Sequence, residues 1–75
     1  MNEQPIERPV PPAYAIRVRG VLGDQLAASA FPDLTALPEG GDTWLVGHLP
    51  DQSALHGVLG RVEALGLELV EVRRR

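Results

Sequence analysis

The sequence predicts a small α+β domain in which two helices cover one face of a four-stranded antiparallel sheet. Three observations carry that prediction. Between Thr43 and Val72 the apolar period is two, then 3.6, then two again, the signature of strand, helix, strand. Asp51 and Gly66 bracket the helical part as a cap pair, a carboxylate before it and a residue without Cβ after it. The first half of the chain repeats the order strand, helix, strand on a smaller scale.

Residues 1–12 (MNEQPIERPVPP) hold four prolines and few core formers, which predicts a flexible, extended leader. Residues 13–75 form the single folded domain. Tyr14 to Gly20 alternates, with Tyr14, Ile16 and Val18 on one side and Ala15, Arg17 and Arg19 on the other, so it is a half-buried strand. After a turn at Gly20–Gly23, Asp24 is placed to cap a short helix whose apolar side is Leu26, Ala27, Ala30 and Phe31. Pro32-Asp33 stops it. Leu34 to Leu37 reads as a short strand, with Pro38 at its end suited to a sheet edge.

Glu39-Gly40-Gly41-Asp42 is a hairpin turn, because glycine supplies the positive φ that tight hairpins need. Thr43 to Leu49 returns as a strand with Leu45, Gly47 and Leu49 on one side and Trp44, Val46 and His48 on the other. At Gly47 the missing side chain would let a helix pack closely. Leu55, Val58, Leu59, Val62 and Leu65 then form one stripe of the long helix. Gly57 and Gly60 weaken that helix by about 1 kcal/mol each, unless another backbone approaches them. Leu67 to Val72 is the last strand, and Arg73, Arg74 and Arg75 read as a solvated end. The resulting order βαββαβ is the split βαβ of the ferredoxin-like fold, which leaves one sheet face open.

Composition narrows the function. A chain of 75 residues sits near the lower limit for a self-sufficient core. It has no cysteine for a disulfide or thiolate site, and two histidines without carboxylates at ligand spacing give no metal centre. Self-association is the remaining staple, so a homo-dimer or higher homo-oligomer is expected. The net charge is −3 and all seven basic residues are arginine, which argues against duplex nucleic acid and removes lysine chemistry. No apolar run reaches membrane-spanning length and no export signal is visible, so the cytoplasm is the default location. The arginine-only, alanine- and proline-rich usage points to a GC-rich coding bias.

The open face gathers Ala15, Arg17, Arg19, Trp44, Val46 and His48. An oligomer interface is the first reading, since tryptophan and arginine concentrate at interface cores. A small-molecule cleft is the second, with Trp44 stacking a ligand, Arg17 or Arg19 pairing with an anion, and His48 or Tyr14 as acid or base. Single-stranded RNA is the third and lacks the aromatic run that such sheets carry. On the helix, Gln52 and His56 face water and are candidate contacts for a protein partner; the spacing of His56 from His48 is a weak metal signal.

The segment GVLGDQL loosely resembles the strand-to-helix loop of ACT domains, which bind amino acids at subunit interfaces on this fold, although their proline–glycine step is missing here. The half GHLPDQSALHGVLGRVEALGLELVEV resembles small uncharacterised proteins of high-GC bacteria, through Gly47, Leu49, Asp51, Gln52, Ala54, Leu55, His56, Gly57, Leu65, Gly66 and Leu67. That resemblance implies the βαββαβ pattern and no activity. The expected function is a non-catalytic interaction or ligand-binding module that self-associates through the open face, without cofactor or metal. The alternative is a cofactor-independent enzyme of the dimeric α+β barrel type.

Overall fold

The computed structural model describes residues 11–75. The leader expected over residues 1–12 therefore lies outside the described residues except for Pro11 and Pro12. Six elements follow: β1 (Ala13–Arg19), α1 (Asp24–Ala30), β2 (Thr35–Glu39), β3 (Asp42–His48), α2 (Gln52–Ala64) and β4 (Leu69–Arg74). The strands form one antiparallel sheet in the order β2-β3-β1-β4. This is the ferredoxin-like architecture, with one face of the sheet left open.

The alternation of β1 decides which face is covered. Tyr14, Ile16 and Val18 join Leu45, Leu49, Phe31, Leu55, Val58 and Val62 in one buried cluster. Thr43 is the buried polar member of this layer; its hydroxyl donates to the Gly20 carbonyl at 2.7 Å and accepts from the Leu22 amide at 3.1 Å. Those two bonds tie the β1–α1 connection to β3 and satisfy a hydroxyl that burial would otherwise penalise.

Several element boundaries differ from the sequence reading for local reasons. Asp24 is the first helical residue and not the cap. Gly23 takes the cap position with extended backbone and no side-chain bond, so Asp24 contributes only a charge at the positive helix end. Leu26, expected on the apolar side of α1, is exposed, and Ala27 and Phe31 make the contact. β2 starts at Thr35 because the Leu34 amide still donates to Phe31 within the turn. The strand then runs through Pro38 to Glu39, which an edge position permits. Gly40 and Gly41, with φ of 59° and 85°, form the hairpin turn.

The long helix follows its capping signals. Asp51 Oδ1 accepts the Ala54 amide at 2.8 Å. At the other end the Leu67 amide donates to Val62 and the Gly66 amide to Glu63, with Gly66 at φ 73°, which is a Schellman motif. That motif uses Leu67, so β4 begins at Leu69 and not at Leu67. Of the predicted stripe, Leu55, Val58 and Val62 are buried, Leu59 is half-buried and Leu65 is exposed. Gly57 and Gly60 face open space. Gly47 does admit a close approach, but by the turn at Asp33–Leu34 and not by a helix: a Cβ there would lie 2.7 Å from the Asp33 carbonyl oxygen.

Candidate functional site: the open sheet face

The register places the site residues directly. On the open face Arg17 stands opposite Trp44 of β3 and Glu71 of β4, and Ala15 stands opposite Val46 and Arg73. Leu37 of β2 lies opposite Trp44 on its other side. The largest side chain of the face is therefore flanked by an arginine on one strand and a leucine on the next. Ala15, with only a methyl group, leaves the space through which Arg73 reaches across β1.

Two guanidinium groups stack on the indole. The central carbon of Arg17 lies 5.6 Å from the Trp44 ring centroid and that of Arg73 lies 5.4 Å from it. Both fall within cation–π range, where each contact contributes about 0.5–1 kcal/mol at a partly exposed site. Each arginine is aimed by a carboxylate. Arg17 Nε donates to Asp42 Oδ2 at 2.9 Å, and Arg73 Nε donates to Glu71 Oε2. Asp42 Oδ1 also accepts the Gly20 amide at 3.3 Å. The hydrogen bond from Arg17 holds the Asp42 carboxyl below its ordinary value, outweighing the opposing effect of desolvation.

Trp44 and Val46 are the apolar residues of β3 on the open face. Both are half-buried within the single chain, because arginine stems and guanidinium planes already cover part of them. What remains is a hollow of about 350 Å³ walled by Ala15, Arg17, Leu37, Trp44, Val46 and Arg73, with Glu39 and Arg75 at its rim.

The other candidates lie elsewhere. Arg19 is at the lower end of β1 and meets Glu68 at 3.5 Å, with both side chains largely exposed. His48 is at the opposite end of β3, where its Nδ1 and the Pro11 carbonyl oxygen are 2.7 Å apart. Tyr14, considered as an acid or base, is buried in the core on the covered face. Gln52 and His56 are exposed on α2.

Arg73, Asp42, Leu37 and Glu71 are the members that sequence reasoning missed. Arg73 and Arg74 belong to β4 and are not a frayed end. The available signal was the alternation of Glu71, Arg73 and Arg75, which a strand carried past Val72 would have put on one face. Among the described residues no three potential ligand side chains converge on a metal position. The arrangement offers an aromatic surface edged by fixed guanidinium groups.

Fold and site together define an open-faced ferredoxin-like domain with an arginine-clamped tryptophan at the centre of its sheet. Residues 13–73 match the family model described as a domain of unknown function (DUF8691), and the chain belongs to that family. The match starts at the first residue of β1. No curated protein and no solved structure matches the chain. Among the described residues no helix is long and apolar enough to cross a membrane.

Proposed function

We propose that this protein is a non-catalytic module that self-associates by laying its open sheet face on the same face of a second copy. The carrying observation is Trp44, with the Arg17 and Arg73 guanidinium groups over its ring, beside a hollow lined in part by Ala15. A fixed indole next to such a recess is a projection beside a cavity, the shape that a self-complementary contact uses. The charges support the same arrangement. β2 and β3 bring Glu39 and Asp42 to this face and no arginine, whereas β1 and β4 bring Arg17, Arg19 and Arg73 together with Glu71. A two-fold axis lying in the face and running parallel to the strands sets the acidic half of one copy against the basic half of the other.

The enzymatic alternative shares the fold but lacks paired acid–base groups on this face. Arginine without lysine fits a GC-rich coding bias, the resemblance to proteins of high-GC bacteria favours a bacterial origin, and the cytoplasm is the proposed location.

Native mass spectrometry of the purified chain tests the proposal. Trp44→Ala is expected to halve the mass of the assembled species while circular dichroism stays unchanged. A wild-type chain that is monomeric at tens of micromolar, or a Trp44→Ala variant with wild-type mass, overturns it. A co-purified small molecule released by the same substitution would move the face to the ligand-binding reading.

A further inference from the structure

The two edges of the sheet are not alike. Alternation along an antiparallel ladder turns every second residue's N–H and C=O away from its neighbour. On β2, the residues paired with β3 in the hairpin are Glu39, Leu37 and Thr35, so Pro38 and Ala36 face outward. Pro38 has no N–H, and that edge offers a poor template for another strand.

β4 is the other edge. Its Arg75 amide donates to the Ala13 carbonyl at 2.7 Å. The register then turns Arg73 and Glu71 toward β1 and leaves Val72 and Arg74 with their backbone groups pointing out. This edge has no proline and no lysine, the usual devices that block pairing.

The same edge carries unused apolar surface. Leu69, Val70 and Val72 are 43%, 41% and 39% exposed. Beside them a groove of about 480 Å³ runs between α2 and β4, lined by Leu59, Gly60, Leu67 and Leu69. Val70 is the residue that the register shift opposite Arg17 and Val18 leaves extra, so the bulge falls at the lower end of the strand and the part from Glu71 onward is regular.

We propose that β4 pairs antiparallel with β4 of a second copy, with Val72 on the two-fold axis, so that two four-stranded sheets become one continuous sheet. Charge selects this register. For a two-fold perpendicular to the sheet, the residue on the axis faces itself and its neighbours face each other in reversed order. With Glu71 on the axis, two carboxylates meet; with Arg73 on it, two guanidinium groups meet. With Val72 on the axis, valine packs on valine and each Glu71 faces the second copy's Arg73. The outward N–H and C=O of Val72 then form the closely spaced pair of hydrogen bonds that the ladder requires at that point. This contact is separate from the open face and stands whether or not the face also pairs.

Amide hydrogen exchange and native mass test it together. In the assembled wild-type chain the Val72 amide, which points away from β1, is expected to exchange at least about tenfold more slowly than in a sample diluted to monomer. Val72→Lys puts two ammonium groups on the axis and is expected to halve the mass with circular dichroism unchanged. Trp44→Ala is expected to leave the Val72 amide protected, which separates this contact from the face contact. Equal exchange at Val72 in the assembled and dilute samples, or a Val72→Lys variant with wild-type mass, overturns the proposal.

Discussion

Gly47→Ala tests whether the turn after α1 rests on β3 as described. Alanine at this position has no backbone penalty, since Gly47 is not among the positive-φ glycines, and it would ordinarily gain about 0.4–1 kcal/mol by restricting the unfolded chain. The surroundings reverse that sign. The new methyl would sit 2.7 Å from the Asp33 carbonyl oxygen, 2.9 Å from a terminal methyl of Leu34 and 3.4 Å from its Cα. The Leu34 methyl can rotate away. The carbonyl cannot do so cheaply, because it lies between Pro32 and the Leu34 amide that donates to Phe31 at 3.1 Å, and Phe31 is 1% exposed in the core.

Overpacking of this kind costs about 1–3 kcal/mol. After the entropic gain is subtracted, a net loss of about 1–2 kcal/mol remains. For a domain of this size that lowers Tm by roughly 5–15 °C. Urea unfolding followed by the fluorescence of Trp44, the single tryptophan, reads the change as a lower midpoint at unchanged slope. Variants must be compared at one protein concentration, because association adds to apparent stability. A Gly47→Ala protein as stable as the wild type would show that residues 33–34 do not pack on β3.

Three further predictions use the same unfolding assay. Gly57→Ala and Gly60→Ala add methyl groups facing open space on an exposed helix, and each is expected to raise stability by about 1 kcal/mol; a loss would mean that another backbone occupies that side. Asp51→Ala removes the acceptor of the Ala54 amide and is expected to cost about 0.5–2 kcal/mol, with Asp51→Asn retaining most of the cap. Asp42 titrates below its ordinary value in the folded chain, so its pairing with Arg17 stabilises above the unfolded carboxyl's pKa and is lost as pH falls through the lower folded value. Asp42→Asn should therefore be the less stable protein near neutrality and converge with the wild type in acid; parallel curves at all pH values would refute that assignment.

The sequence made the covered face legible because burial imposes a period. Ile16, Val18, Leu45, Val58 and Val62 lie where alternation and the helical stripe put them. Asp51 and Gly66 were equally readable, since caps act within a few residues. The centre of the open face was half legible. Arg17, Trp44 and Val46 do share it, but their neighbours depend on register across strands, which no local pattern fixes. Asp42 read as a turn residue, and only its place two register positions from the Arg17–Trp44 pair, on the same face, makes it the partner of Arg17. Arg73 read as a tail because the end of β4 is set by pairing with β1 and not by its own composition. The exposure of Leu65 and Leu26 escaped for a related reason: an apolar position on a helix is buried only if something lies opposite it.

The two proposed contacts differ in chemistry, and that difference gives a last prediction. Around Trp44 the face relies on arginines and carboxylates, several of them partly exposed, whose attraction across an interface is screened when the Debye length falls from about 8 Å at physiological salt to about 3 Å at 1 M. The β4 edge relies on backbone hydrogen bonds and on Leu69 and Val72, and apolar burial does not weaken with ionic strength in that way. Sedimentation of the wild type across this salt range should remove the Trp44-dependent step of assembly and keep the Val72-dependent one. The exposed surface beside α2 supports that order. Leu59 on the helix and Leu69 on the strand line one groove beside the β4 edge, apolar surface that a second copy paired there would cover. If high salt instead dissolves the Val72-dependent step, the Glu71–Arg73 pairs and not the apolar strip hold the edge, and the register argument would survive without its hydrophobic half.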